Sequence, residues 1–153
     1  MSQTEVTLPM QSAKRRLMTL WLVLGLFLLL ALLWRTMGPN AYGDETSTVW
    51  TWFLPNIVPT LMLMIGISVA DDIKRRERER SGEEDKPETG SVFLYRVALG
   101  LSLVHLLLLL ALIVYEALPS VGSMPELIKK MGYFTAISQG LCAAVLGAFF
   151  SKS

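Results

Sequence analysis

Four long stretches of this chain are almost free of charge, and they limit its fold more than any other feature. They cover residues 17–34, 49–70, 92–115 and 133–150, which make up 82 of the 153 residues and contain one charged side chain, Arg96. Each stretch is 18 to 24 residues long. A helix rises about 1.5 Å per residue, so about 20 residues cross the roughly 30 Å hydrocarbon layer of a membrane. We therefore predict an all-α, polytopic integral membrane protein, a four-transmembrane-helix bundle.

Composition and motif content exclude most soluble classes. Hydrophobic residues make up 52% of the chain and the mean hydropathy is +0.47, above the range of ordinary soluble domains. A single cysteine, Cys142, and a single histidine, His105, do not supply the residues for a disulfide framework, a zinc site or a haem site. The sequence lacks phosphate-binding, dinucleotide, HExxH and nucleophile-elbow motifs, and its net charge of +1 gives no attraction for nucleic acid. We expect no enzymatic activity, cofactor, metal site or nucleic-acid partner.

Basic residues are distributed unequally between the two sides of the predicted helices. One side, formed by residues 1–16, 71–91, 151–153 and the start of the third helix, carries eleven Lys and Arg. The other side, residues 35–48 and 116–132, carries three. Basic residues resist translocation, so the side with eleven is predicted to be cytoplasmic. Both termini are then cytoplasmic, and the lipid bilayer of a plasma or inner membrane is the expected location.

Two segments outside the spans carry local signals. Residues 1–13 are polar and interrupted by Pro9, which predicts a mobile tail. Within 116–132, Ser123 and Glu126 form an S-x-x-E capping box. Apolar residues follow at helical spacing as far as a glycine stop signal. We therefore predict a two-turn amphipathic helix that lies on the outer leaflet or against the bundle.

The cytoplasmic segment 71–91 is the most polar part of the chain. Opposite charges at i,i+4 spacing, such as Asp71 and Arg75, predict that the second helix continues beyond the membrane and ends near Gly82. Two interpretations stay open. The segment is either an arm that recruits a soluble cytoplasmic partner or a solvated helix whose charges pair with one another.

The fourth predicted helix is rich in small residues. Ala136, Gly140, Ala144 and Gly147 form a stripe that lets another helix approach closely, either within one chain or between copies. The first predicted helix is almost uniformly Leu, Phe, Trp and Val, which suits a lipid-facing position. We therefore expect helix four to be the centre of packing and the protein to form a homo-oligomer.

The second predicted helix contains unusual backbone. Pro55 and Pro59 lack an amide hydrogen, so a kink is predicted, and Asn56 lies between them. Polar groups at this depth need partners from a neighbouring helix or from water. Asn56, Pro59 and Thr60 form either a gate or water pocket, or a structural bend in which Asn56 bonds to the fourth helix.

His105 lies near the middle of the third predicted helix, where an ionisable side chain is costly and faces the protein interior or a wet cavity. Ala98, Ser102, Leu109, Leu112 and Glu116 share its helical face, which we predict to turn inward. An imidazole titrates near neutral pH, so it is suited to carrying protons or gating a constriction. A neutral histidine bonded to Ser, Asn or Gln on a facing helix explains the same pattern.

His105, Ser102, Asn56 and Gln139 form the candidate polar site, and three functions stay open. The first is a non-enzymatic channel, pore or permeability subunit that assembles into homo-oligomers. The second is a membrane sensor or accessory subunit that recruits a cytoplasmic protein through residues 71–91. The third is a dimeric proton-coupled transporter centred on His105.

Overall fold

A computed structural model describes residues 7–38, 42–82, 89–116 and 123–151. Its four long helices are α1 (Met10–Met37), α2 (Thr46–Ser81), α3 (Val92–Glu116) and α4 (Met124–Phe150). Two three-residue strands, β1 (Thr7–Pro9) and β2 (Thr89–Ser91), precede α1 and α3, and a single 3-10 turn (Gly43–Glu45) precedes α2. All four helices are long and apolar enough to span a membrane. The prediction of an all-α, four-helix fold is confirmed.

The helices pack as a bundle in which α1 and α4 lie on opposite corners. Helix α1 packs against α2 and α3, and α4 packs against the same two helices, most extensively against α3. Large apolar side chains from every helix fill the space between them. The largest of these buried side chains include Trp21, Phe53, Leu109 and Phe149.

One end of the bundle, here called the Lys14 end, brings together the start of α1, the end of α2, the start of α3 and the end of α4. Lys14 on α1 forms an ion pair of 2.7 Å with Asp71 on α2. The rings of Tyr95 on α3 and Phe149 on α4 lie 6.1 Å apart between centroids. Strands β1 and β2 pair antiparallel, with Leu8 opposite Gly90. The first and last helices therefore begin and end on the same side of the bundle.

The predicted mobile tail over residues 1–13 is wrong for residues 7–13; residues 1–6 lie outside the described part of the chain. Residues 7–9 form β1, and α1 begins at Met10. Pro9 has extended backbone, which suits the position before a helix, and Ser12 donates a hydrogen bond of 2.9 Å to its carbonyl. Met10 and Ala13 are buried in the core. Helix α1 begins before the predicted span of residues 17–34, because buried apolar side chains continue along one face as far as Met10.

The predicted amphipathic helix and the fourth predicted span are one continuous helix. Helix α4 begins after Ser123, as the capping signal indicates, although the Ser123 side chain makes no capping bond. Gly132 does not end the helix, because a glycine inside a helix costs only about 1 kcal/mol and packing offsets it. Met124 and Leu127 are buried against the bundle. This first turn of α4 therefore belongs to the protein core.

Helix α4 makes the most extensive contacts with its neighbours, as predicted for the centre of packing, and α1 makes the least. Helix α3 has the largest buried share of its span. Helix α1 is exposed along much of its length, but it also has an inward face, a buried stripe of Leu17, Trp21, Leu28 and Leu32. Leucine occurs on both the buried and the exposed side of α1, so hydropathy alone hides this inward face.

Candidate functional site

His105 is fully buried, and both of its ring nitrogens have hydrogen-bond partners. The Nε2 atom lies 3.0 Å from the main-chain carbonyl oxygen of Asn56 on α2. The Nδ1 atom lies 2.8 Å from Oγ of Ser138 on α4. A carbonyl oxygen only accepts, so Nε2 carries a proton and donates it to Asn56. Nδ1 of the neutral ring is an acceptor, and the one hydroxyl proton of Ser138 serves either Nδ1 or the Thr135 carbonyl oxygen at 3.0 Å. One imidazole thus connects α3 to both α2 and α4.

The prolines of α2 lie on either side of the residue that His105 contacts. Pro55 and Pro59 have no amide hydrogen, so the carbonyls of Thr51 and Pro55, four residues before them, lose their helical donor, whereas the amide of Thr60 is the helical donor for the Asn56 carbonyl. Helix α2 nevertheless continues through both prolines. The Asn56 carbonyl accepts a hydrogen bond from His105. The Asn56 side-chain amide donates a hydrogen bond of 2.7 Å to the carbonyl of Trp52, one turn earlier in α2. Among the described residues, Asn56 therefore bonds within α2 and to α3. The hydrogen bond to α4 that the structural interpretation predicted is not found there.

A tryptophan from α1 covers the other side of the imidazole. The rings of Trp21 and His105 are stacked, with centroids 5.9 Å apart and planes inclined by 24°. The indole Nε1 of Trp21 donates a hydrogen bond of 2.9 Å to Oγ of Ser102. Ser102 Oγ also lies 3.6 Å from the buried Cys142 Sγ on α4. Side chains from all four helices therefore meet at one level, which we call the His105 layer (Trp21, Asn56, Ser102, His105, Ser138 and Cys142).

Gln139 belongs to a neighbouring contact between α2 and α4. Its Nε2 donates a hydrogen bond of 2.7 Å to Thr60 Oγ1. Next to it, Trp52 Nε1 donates a hydrogen bond of 3.3 Å to Thr135 Oγ1. The Gln139 Oε1 atom is buried and has no partner among the described residues. The structure thus brings His105 and Asn56 into direct contact, places Ser102 beside them through Trp21, and gives Gln139 a separate partner.

The chemistry of the His105 layer is that of a neutral hydrogen-bonded joint. Ser138 Oγ lies within reach of both His105 Nδ1 and the Thr135 carbonyl oxygen, at 2.8 and 3.0 Å. Within the described part of the chain, His105 contacts a carbonyl, a hydroxyl and an indole ring, none of which carries charge. Within the described ranges, no group of three or more His, Cys, Asp or Glu is placed to hold a metal ion.

The small residues of α4 face outward. Gly140 and Ala144 are exposed, and a Cβ added to Gly140 would meet nothing within 4 Å. Gly147 points toward α2, where a Cβ would lie 4.0 Å from Leu63. The outward row therefore does not follow the predicted stripe to its end. It consists of Ala136, Gly140, Ala144 and Ala148, which are all exposed and follow one another at intervals of four residues.

Sequence reasoning missed the role of Trp21. It was counted among the apolar residues of a lipid-facing helix, but it is fully buried and bonded to Ser102. An indole N–H in the middle of a span needs an acceptor, because lipid offers none. That requirement was the available signal, and it distinguishes Trp21 from the neighbouring leucines.

Similarity to known proteins does not narrow the function. No family model, curated protein or solved structure matches the chain. Functional proposals therefore rest on three features of the molecule itself: the His105 layer, the outward row of small residues on α4, and the charged extension of α2.

Proposed function

We propose that the protein is a non-enzymatic integral membrane subunit that self-associates through α4 into homo-oligomers and acts on membrane permeability as a channel or pore subunit. The observation that carries this proposal is the outward row of Ala136, Gly140, Ala144 and Ala148. These four residues have no side-chain bulk to offer lipid. They leave a shallow groove along an exposed helix.

Such a groove is suited to contact with another helix. Lipid tails are as apolar as leucine, so helices associate in membranes where small residues let their backbones approach closely. The row runs from Ala136 to Ala148, thirteen residues and about 18 Å along the helix axis, which is more than half of a hydrocarbon layer. Exposed Tyr133, Ile137 and Leu141 lie beside it and provide bulk to pack into a partner.

Oligomers also offer a location for a conducting path. Buried side chains such as Trp21, Phe53, Leu109 and Leu146 fill the interior of the described bundle. A path between copies avoids displacing them, whereas a path through one chain requires their rearrangement. The permeability role therefore depends on assembly.

The proposed orientation places the Lys14 end in the cytoplasm of a cell with a plasma or inner membrane. Lys14, Arg15 and Arg16 lie at this end with the basic extension of α2, while Lys129 and Lys130 begin α4 at the opposite end. The positive-inside rule supports this arrangement, with both termini on the cytoplasmic side.

A leucine at Gly140 tests the proposal, with Gly100 as the matched control. Both glycines are exposed in a span, and a Cβ at either position meets nothing within 4 Å. We expect Gly140→Leu to reduce the oligomer fraction, measured by cross-linking in vesicles, and to reduce ion flux in parallel. Gly100→Leu should change neither quantity. Unchanged assembly in Gly140→Leu contradicts the α4 contact, and flux that is absent from assembled wild-type protein contradicts the permeability role.

The charged extension of α2 favours a second candidate, a sensor or accessory subunit that recruits a soluble cytoplasmic protein. Helix α2 continues to Ser81, and its residues from Asp72 onward are exposed. Arg76 pairs with Asp72 at 3.0 Å and Arg75 with Glu79 at 3.3 Å, so part of its charge is neutralised locally. The remaining charged surface projects beyond the apolar span as a helical arm.

Charge reversal on this arm separates the two candidates. Lys74 and Arg80 are exposed and make no ion pair among the described residues. If a cytoplasmic protein docks here, Lys74→Glu with Arg80→Glu abolishes its recruitment and leaves flux unchanged. The same reversal at Lys129 and Lys130, which are also exposed, serves as the control.

The proton-coupled transporter has less support from the geometry. Both ring nitrogens of His105 are bonded, and its stacked partner Trp21 encloses the ring. These contacts favour a structural role. We therefore do not extend the proposal to proton transport.

A further inference from the structure

Helices α1 and α2 are close together near the middle of the bundle and leave space between them at the Lys14 end. A Cβ added to Gly25 would lie 3.5 Å from Ile57 and 3.7 Å from Leu61. Toward the Lys14 end, the helices are joined by the Lys14–Asp71 ion pair and by a contact of 3.3 Å between Ser68 Oγ and Met18 Sδ. Two open cavities adjoin these bridges. We call them together the α1–α2 cleft.

The outer cavity of the cleft is polar. It has a volume of about 470 Å³ and is lined by both helices, with the hydroxyls of Ser12 and Ser68 in its wall. Its charged walls include the cations Lys14, Arg15 and Arg75 and the carboxylates of Asp71 and Asp72, which leaves one positive charge in excess.

Arg15 is the cation available to a ligand. Lys14 is paired with Asp71, and Arg75 is paired with Glu79. Arg15 is exposed and makes no ion pair with any described residue. A guanidinium binds phosphate oxygens with two parallel N–H donors, so Arg15 alone can hold a phosphate in this wall.

The inner cavity of the cleft is apolar. It has a volume of about 440 Å³, shares Met18, Ser68 and Asp72 with the outer cavity, and is lined deeper by Leu22 and Ile65. From Arg15 to Leu22 the helix rises about 10 Å, so the apolar part extends well into the level of the hydrocarbon layer. A polar head over an apolar groove matches the two halves of a phospholipid.

We propose that the α1–α2 cleft binds one phospholipid of net charge −1, with its phosphate at Arg15 and one acyl chain along Met18, Leu22 and Ile65. The single excess positive charge of the outer cavity matches the single negative charge of this lipid class. A zwitterionic phospholipid leaves that charge unbalanced. The site is independent of the α4 contact, which lies at the opposite corner of the bundle.

Lipid retention provides the test, with Arg16 as the matched control. Arg16 is the next residue, is equally a cation and is exposed, but it does not line the outer cavity. The full-length protein is extracted from vesicles containing equal amounts of phosphatidylglycerol and phosphatidylcholine, and native mass spectrometry measures the bound lipid. We expect one phosphatidylglycerol per chain. Arg15→Gln should lower its retention about fivefold, the factor that one basic residue contributes near an anionic surface, while Arg16→Gln should retain it as the wild type does.

A second pair of variants tests the apolar groove. Val69 is exposed and lines the inner cavity, so Val69→Trp should fill it and expel the lipid. Val104 is exposed on α3, away from the cleft, and Val104→Trp should retain the lipid. Equal loss in Arg15→Gln and Arg16→Gln, equal retention of the two lipids by wild-type protein, or full retention in Val69→Trp overturns the proposal.

Discussion

His105 Nε2 donates a 3.0 Å hydrogen bond to the main-chain carbonyl of Asn56, the residue between Pro55 and Pro59. A side chain of α3 thus adds a second donor to a carbonyl between the two prolines, whose helical donor is the amide of Thr60. The bond is buried and crosses the bundle between two helices that are diagonal to each other.

Replacement of His105 by alanine should destabilise the bundle by about 2 kcal/mol, because the Asn56 carbonyl and the Ser138 hydroxyl both lose a partner in a buried site. His105→Gln, which keeps one donor, should cost less. The measurement is unfolding of the purified protein in mixed micelles. Leu107→Ala is the control, since Leu107 is 57% exposed on the same helix. Equal stability of the His105 and Leu107 variants would rule out the joint.

The indole N–H of Trp21 should contribute to stability in its own right. Trp21→Phe keeps an aromatic ring over His105 but removes the 2.9 Å bond to Ser102, so we expect a loss of about 1 kcal/mol. Trp34 lies on the same helix and is 83% exposed, and Trp34→Phe should have little effect. Unfolding curves of the two variants make the comparison, and a loss common to both would point to a general effect of shortening the aromatic side chain.

The Lys14–Asp71 ion pair should couple α1 to α2 more strongly than an exposed pair does. Lys14 is 8% exposed and its Nζ lies 2.7 Å from Asp71, so a double-mutant cycle with Lys14→Met and Asp71→Asn should give a coupling of about 1 kcal/mol. The exposed Arg76–Asp72 pair should give about 0.3 kcal/mol. If 1 M salt removes both couplings equally, the partial burial of Lys14 has no effect.

Gly25 should tolerate alanine but not leucine. An added Cβ meets Ile57 at 3.5 Å, an ordinary contact, whereas the longer side chain would enter the space of Ile57 and Leu61. Gly25→Leu should therefore cost about 2 kcal/mol through overpacking. Gly66→Leu is the control, because a Cβ there meets nothing within 4 Å. Thermal unfolding compares the two, and equal midpoints would show that α1 and α2 separate without cost.

The sequence is informative where a polar residue interrupts an apolar span. On α3, the predicted inward face of Ala98, Ser102, His105, Leu109 and Leu112 is buried in the structure. Lipid penalises the histidine and serine, so their direction determines the face of the whole helix. In the apolar stretch of α1 the polar groups include the exposed hydroxyl of Thr19 and the indole N–H of Trp21, and the inward face of this helix was not predicted.

The partners of each polar group depend on packing that a single sequence does not encode locally. Asn56 was expected to bond to α4, yet its carbonyl accepts from α3 and its amide returns to Trp52. The contacts of the small residues on α4 were likewise not predictable from the sequence. Gly140 and Gly147 lie on one predicted stripe, but a Cβ at Gly140 would meet nothing within 4 Å, whereas one at Gly147 would lie 4.0 Å from the Leu63 side chain of α2.

The pairing of Thr7 with Ser91 has a consequence for the order in which the bundle forms during synthesis. Lys14 and Asp71 are 57 residues apart, so an α1–α2 hairpin can close while the ribosome is still adding α3. The β1–β2 ribbon needs the chain to reach residue 91 and therefore forms later. Until then β1 lacks its partner strand β2, and the inward side of Trp21 lacks Ser102 and His105 of α3. A nascent chain stalled before Ser91 should therefore expose Trp21 to quenchers that the finished protein excludes.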